Sequence, residues 1–148
     1  MNEKLEQLEA LMREIGLSHA VIGVLGGTHT DDKGNTSDMA DLAIEHEFGS
    51  DDGRIPERSF LRSSLIENRE TYKKYLARLL RQAIRGQITI TDMYDRLGAI
   101  AAGGAQQKIL DGPFKPLSKL TIKLKGSSKP LIDTGQLLQS ITWEVKHD

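Results

Sequence analysis

The residues that could do chemistry fall in two short stretches. Glu45-His46-Glu47 sets two carboxylates beside an imidazole, the groups that ligate zinc or move protons. Their spacing argues against both uses. On a helix Glu45 and Glu47 face different sides, and no second histidine stands four residues away, as a helical zinc site needs. His46 is therefore expected to be a partly buried structural residue. His29, the other histidine that a metal-dependent hydrolase might use, lies in a polar loop. Gly26-Gly27-Thr28 follows an apolar run in the manner of a phosphate-binding turn, but the Gly-Lys-Ser/Thr ending is missing and no helix begins at Thr28. The chain has no cysteine, which excludes a disulfide framework and thiolate catalysis. There is no nucleophile elbow, no Ser–His–Asp order and no carboxylate pair in an apolar setting. The expectation is a protein with no catalytic residues, no metal ligands and no cofactor.

Charge is the second chemical resource. Residues 1–55 hold 12 Asp/Glu and 4 Lys/Arg, a net of −8, while residues 56–148 hold 9 and 16, a net of +7, giving the overall −1. Arg69, Lys73, Lys74, Arg78, Arg81 and Arg85 crowd one helical tract and could meet phosphates. Neither aromatic interleaving nor a nucleic-acid motif accompanies them, so a nucleic-acid-binding module is the alternative reading. The asymmetry equally suits copies of the chain meeting acidic patch to basic patch.

These residues must be held by a soluble core. At 148 residues with 38% hydrophobic side chains, one domain over 1–148 is expected. No apolar run approaches the ~20 residues of a membrane span. The acidic, amphipathic start is unlike a signal peptide, so cytosolic synthesis is the default.

Leu5, Leu8, Leu11, Met12 and Ile15 predict a helix over 2–15. The β-branched run at 19–25 predicts a strand, apolar throughout and hence central to its sheet. Residues 26–37 lack any apolar side chain and predict a loop or hairpin. Ser37 is expected to cap a helix over 38–48, with Met39, Leu42, Ala43 and His46 on one face. Pro56 opens a helical tract of about 57–85, with a possible break near Glu67-Asn68. Thr91 is expected to cap a second helix, about 92–110, whose Gly98, Gly103 and Gly104 would allow close packing. Ser118 starts either a helical turn or a strand. Asp133 and Thr134 predict a short helix with Leu137 and Leu138 inward, and Ile141, Trp143 and Val145 alternate as a half-buried strand over 141–146. The fold class is α+β: a small antiparallel sheet pairing 19–25 with 141–146, plus a third strand from the 26–36 region, packed by the two long helices.

Three sequence blocks carry a resemblance. They are His46-Glu47-Phe48-Gly49, then Ile55-Pro56-Glu57-Arg58-Ser59-Phe60-Leu61-Arg62, then Pro130-Leu131-Ile132-Asp133-Thr134-Gly135-Gln136-Leu137 with Ser140-Ile141. In this order the chain resembles the tail-completion and head–tail joining proteins of tailed bacteriophages. These include the Mu-like virion morphogenesis proteins and relatives of the lambda minor tail protein Z. The resemblance covers roughly Met39 to Val145, and departs from the pattern at Ser59, where proline is usual. It implies a non-enzymatic α+β virion protein, made in the host bacterial cytoplasm and acting at the neck as a homo-oligomer or ring. Its implied neighbours are tail-tube, terminator or connector proteins, with no membrane and at most indirect DNA contact. It also implies that Phe48, Gly49, Pro56, Arg58, Phe60, Leu131, Asp133, Thr134, Gly135, Leu137 and Trp143 are positioning or assembly residues. Phe60 would anchor its helix on the sheet, and Arg58 would pair with an acid such as Asp133.

Overall fold

The computed structural model describes residues 2–30, 34, 36–54, 56–111 and 135–148. Among these the order is α1 (Asn2–Leu17), β1 (Ser18–Val24), β2 (Thr28–Thr30), β3 (Thr36–Asp38), α2 (Met39–Phe48), α3 (Leu61–Glu67), α4 (Arg69–Ile84), α5 (Ile90–Asp111), α6 (Gly135–Ser140) and β4 (Ile141–His147). The protein is α+β. The expected turn or strand from Ser118, and the motif residues Leu131, Asp133 and Thr134, lie outside the described residues.

Helix α5 is the element on which the others pack. It begins two residues earlier than its Thr91 would suggest. Thr89 and Asp92 form a reciprocal cap: the Asp92 amide donates to Thr89 Oγ1 at 3.0 Å, and the Thr89 amide donates to Asp92 Oδ2 at 3.1 Å. That arrangement satisfies two orphan donors at once. It also makes Ile90 the first buried residue of the helix.

Gly98, Ala101, Ala102, Ala105 and Ile109 then form one buried stripe, and their small side chains bring the backbone close to its neighbours. A Cβ at Gly98 would lie 2.8 Å from Trp143 Cδ1 and 3.0 Å from its Cγ. At Gly104 it would collide with the Tyr72 hydroxyl and sit 3.2 Å from Ser64 Oγ. One core cluster joins Ala102, Ala105 and Ile109 to Met39, Phe60, Leu137 and Ile141. A second joins Leu79 and Ala83 of α4 to Ile90 and Met93 of α5.

The sheet pairs β1 with β4 antiparallel, Ser18 opposite His147, Ile22 opposite Trp143 and Val24 opposite Ile141. Two expectations change here. Among the described residues the 26–36 region adds no third strand to it; β2 and β3 pair with each other in a separate two-stranded ladder. With no apolar side chain between Thr28 and Ser37, these short strands have nothing to bury against the main sheet. Nor is β1 flanked by strands on both sides among the described residues. Its continuous apolar run is explained by helices instead: Ile22 and Val24 pack on the core cluster, and Leu61 Cδ2 comes within 3.5 Å of where a Gly23 side chain would begin.

The tract over 57–85 has the break expected near Glu67-Asn68, but its start differs. It starts only at Leu61 and breaks at Asn68, whose side-chain amide donates to the Ser64 carbonyl at 2.9 Å. Asp38, rather than Ser37, caps α2, accepting from the Ala40 amide at 2.7 Å.

Trp143 borders the core, half-buried, with its Nε1 donating to Asp95 Oδ1 at 2.9 Å. Gly98→Ala is expected to destabilise by ~1–3 kcal/mol through overpacking, and Trp143→Ala by ~3 kcal/mol. Because the indole is what the new methyl meets, the double variant should lose less than the two single losses added together. Urea unfolding of the three variants checks this; strict additivity would contradict the contact.

Candidate functional site

Helix α3 begins at Phe60-Leu61, and Phe60 has no side-chain acceptor with which to cap it. The first amides of a helix need partners, and burying them unpaired costs free energy. Their partner comes from the end of α2. Glu47 Oε2 accepts from the Phe60 amide at 3.0 Å and the Leu61 amide at 2.9 Å; Oε1 accepts from the Arg62 amide at 3.0 Å. Ser59 Oγ donates to Oε1 at 2.7 Å and Arg62 Nε does so at 2.8 Å. Glu47 thus caps a helix other than its own. A carboxylate is unfavourable at the C-terminal end of α2 and favourable at the N-terminus of α3, so the tertiary contact reverses the sign of its local cost.

Glu47 is 5% exposed. Burial alone pushes its carboxyl up. The bonds from the Leu61 amide, the Ser59 hydroxyl and Arg62 outweigh that and hold it below its ordinary value of 4.5. Five donated hydrogen bonds more than fill the roughly four lone-pair sites of a carboxylate. What remains is an anion committed to structure, with no free lone pair for a metal and no proton for acid catalysis. Glu45 is exposed while His46 and Glu47 are buried, so the three do not converge. Among the described residues no group of three His, Asp or Glu side chains could hold a metal ion.

Around this carboxylate stand the motif residues. Gly49 ends α2 with φ 80° and ψ 168°, its amide donating to the Glu45 carbonyl at 2.7 Å; that backbone region is essentially reserved for glycine. Pro56 lies in an irregular segment ahead of α3 instead of in its first turn. The reason is Glu47, which sets the first helical amides at Phe60 to Arg62. Arg58 is half-buried, its amide donating to the His46 carbonyl at 2.8 Å, and burial pushes its guanidinium down from its ordinary value. The expected Arg58–Asp133 pair lies outside the described residues.

Ser59 supplies a hydrogen bond that proline could not, and its hydroxyl also accepts from the Ser63 amide at 3.2 Å. Phe60 is 2% exposed and anchors α3 in the core cluster beside Leu137 and Ile141. Gly135 opens α6 and is exposed, with open space around it.

Phe48 is 56% exposed, and the Arg62 guanidinium lies 4.2 Å above its ring. Arg62 also reaches the Glu47 carbonyl at 3.1 Å and Glu57 Oε1 at 2.9 Å. Next to Phe48 is a largely apolar groove of about 280 Å³ between β1 and α2, with Leu25 and Ile44 exposed at its margin. The structure therefore brings Phe48, Gly49, Arg58, Phe60, Leu137 and Ile141 into one unit, while Trp143 sits at its edge against Gly98. Glu47 and Arg62 are its organisers; the sequence showed Glu47 only as a poorly placed ligand and Arg62 only as a member of a motif, and neither as a cap. The available signal was a helix start at Phe60-Leu61 with no capping residue, preceded by an acid at a helix end.

Set against protein-family models, curated proteins and solved structures, the chain matches none of them.

Glu47→Gln keeps the shape but places an amide against donors. The expected loss is about 2–4 kcal/mol. The pH dependence follows from the depressed carboxyl: its stabilisation is fully present above about 4.5 and is lost as pH falls through the lower folded-state value. Thermal unfolding across the acid range should therefore show a smaller drop for Glu47→Gln than for the wild type. Parallel curves would contradict the assignment.

Proposed function

We propose that the chain is a structural protein of a tailed bacteriophage, acting at the neck where a tail is completed or joined to a head. In this reading it is not an enzyme. It works as a homo-oligomer, such as a ring, against tail-tube, terminator or connector proteins, and its place is the virion.

The observation that carries the reading is the meeting of distant motif segments. Phe60 from the Ile55–Arg62 block and Leu137 and Ile141 from the C-terminal block share one core cluster, and Glu47 from the first block fixes the helix that bears Phe60. Short motifs that coincided by chance would have no reason to pack together. The unit they form is a scaffold, with its one strong carboxylate consumed by structure, which suits an assembly protein better than a catalyst.

A second reading, a nucleic-acid-binding module, is favoured by one observation: Lys73, Lys74, Arg78, Arg81 and Arg85 are all exposed on or just after α4, with Arg78 beside the ring of Tyr75.

Deleting the gene from a phage that carries it is expected to leave heads and tails unjoined or tails incomplete under the electron microscope, with the protein absent from the particles. Normal virions would contradict the neck reading. Binding to duplex DNA whose affinity falls steeply with salt, and less steeply after Lys74→Ala and Arg78→Ala, would support the second reading instead.

A further inference from the structure

The face of α4 turned away from α5 carries a line of unmatched charge. Leu79 and Ala83 are the buried residues of this helix. Opposite them Lys74, Arg78 and Arg81 recur at steps of four and three, and Arg85, the C-cap residue, extends the line by one more turn. All four are exposed. At about 1.5 Å per residue the line is ~16 Å long. Elsewhere Arg54, Arg62, Lys73 and Lys108 each hold a carboxylate. Among the described residues no carboxylate is paired with Lys74, Arg78, Arg81 or Arg85. Glu70, one turn before Lys74, is the one acid of α4, and it is taken by Lys73 at 3.3 Å. Arg81 and Arg85 suit the C-terminal end of the helix dipole, but Lys74 and Arg78 have no such local reason.

This line favours a polyanion over a protein face. It holds no large apolar side chain, which a protein partner needs at the centre of its interface; Ile84 faces the α1 side instead. A nucleic-acid interface is polar and strongly positive. Contrary to the expectation of no aromatic among these cations, the fold sets one ring at the edge of their line. Thr71, Lys74, Tyr75 and Arg78 line a cleft of about 300 Å³, and Tyr75 is 38% exposed. The Arg78 guanidinium lies over the Tyr75 ring at 5.9 Å from its centroid, against 4.2 Å for Arg62 over Phe48. The longer distance leaves a slot. Two stacking contacts of about 3.5 Å need about 7 Å between the outer groups. Arg78, exposed and without an ion pair, moves by only about 1 Å to admit a planar ring between itself and Tyr75.

A nucleobase is such a ring, and its neighbours along the strand are phosphates. In a duplex its faces are covered by the adjoining base pairs, so a side chain on a helix surface stacks only on an unpaired base. We infer that this face of α4 binds single-stranded nucleic acid, with phosphates along Lys74, Arg81 and Arg85 and one base between Tyr75 and Arg78. The inference rests on the second reading above and narrows it to one class of ligand. The neck reading is decided separately, by the virion phenotype.

The test is fluorescence anisotropy of a labelled oligothymidylate, and of a mixed-sequence duplex of equal length, titrated with the full chain at several salt concentrations. The single strand should bind more tightly than the duplex. Its log affinity should fall against log salt with a slope of about −3, as four cations on a single strand imply. Lys74→Ala with Arg81→Ala should halve that slope. Tyr75→Ala should weaken single-strand binding about tenfold, the worth of one stacked base, without changing the slope, and Tyr75→Phe should bind like the wild type. These side chains are exposed, so circular dichroism should be the same for every variant. A duplex bound as tightly as the single strand, or Tyr75→Ala bound like the wild type, would overturn the inference while leaving the second reading in place. Binding of neither nucleic acid would overturn both. Displacement of the oligonucleotide by polyglutamate of equal charge would overturn it in favour of an acidic protein. Phosphatidylserine vesicles that bind through the same cations, with Tyr75→Ala unchanged, would do so in favour of a lipid surface.

Discussion

One buried carboxylate decides how the first half of this chain meets the second. Without an acceptor for the amides of Phe60, Leu61 and Arg62, α3 would begin with unpaired donors in a buried setting. Glu47 supplies that acceptor across the Gly49–Ser59 connection. It thereby fixes the end of α2 against the start of α3 and seats Phe60 in the core. A hydrogen bond to a charged group is stronger than a neutral one, and losing it inside a protein leaves both sides unsatisfied. The Gly49 backbone, the Ser59 hydroxyl and the Arg62 side chain make sense together only around this group. The carboxylate is also why the most reactive-looking tripeptide in the chain is a structural element.

The other constraint is how closely α5 can approach its neighbours. Gly98 admits Trp143 from β4, and Gly104 admits Tyr72 from α4 and Ser64 from α3. Larger residues at these two positions would push the sheet and the helical pair away from the helix they share. A two-stranded sheet is marginal on its own; here it is held by α5 on Ile141 and Trp143 and by Phe60 and Leu137 in the same cluster. The Lys108–Glu67 ion pair, 2.7 Å long with Lys108 largely covered, ties α5 to the end of α3.

Much of this was legible in residue spacing. The antiparallel pairing of β1 with β4 follows from two apolar runs with compatible period, and the buried face of α2 follows from Met39, Leu42, Ala43 and His46. The inward placement of Leu137 follows from helical spacing after the Asp133-Thr134 cap signal. The parts that escaped depend on partners distant in sequence. Pro56 looked like a helix start because local propensity favours it there, but α3 takes its origin from Glu47. Ser37 and Thr91 are good capping residues beside better-placed ones, Asp38 and Thr89. A third strand seemed natural next to β1, yet β2 and β3 have no apolar face with which to join it. Arg62 was visible only as a member of a motif; its bonds to Glu47 and Glu57 required the fold.

The claim on which the account stands is that the α3 amides are bonded to Glu47. Amide hydrogen exchange followed by NMR reads those bonds directly. The account predicts slow exchange at Phe60, Leu61 and Arg62 in the wild type, comparable to the interior of α5, and a selective rise at these three in Glu47→Gln while α5 stays protected. Rapid exchange at Phe60 to Arg62 in the wild type, at the rate of an unstructured segment, would contradict it.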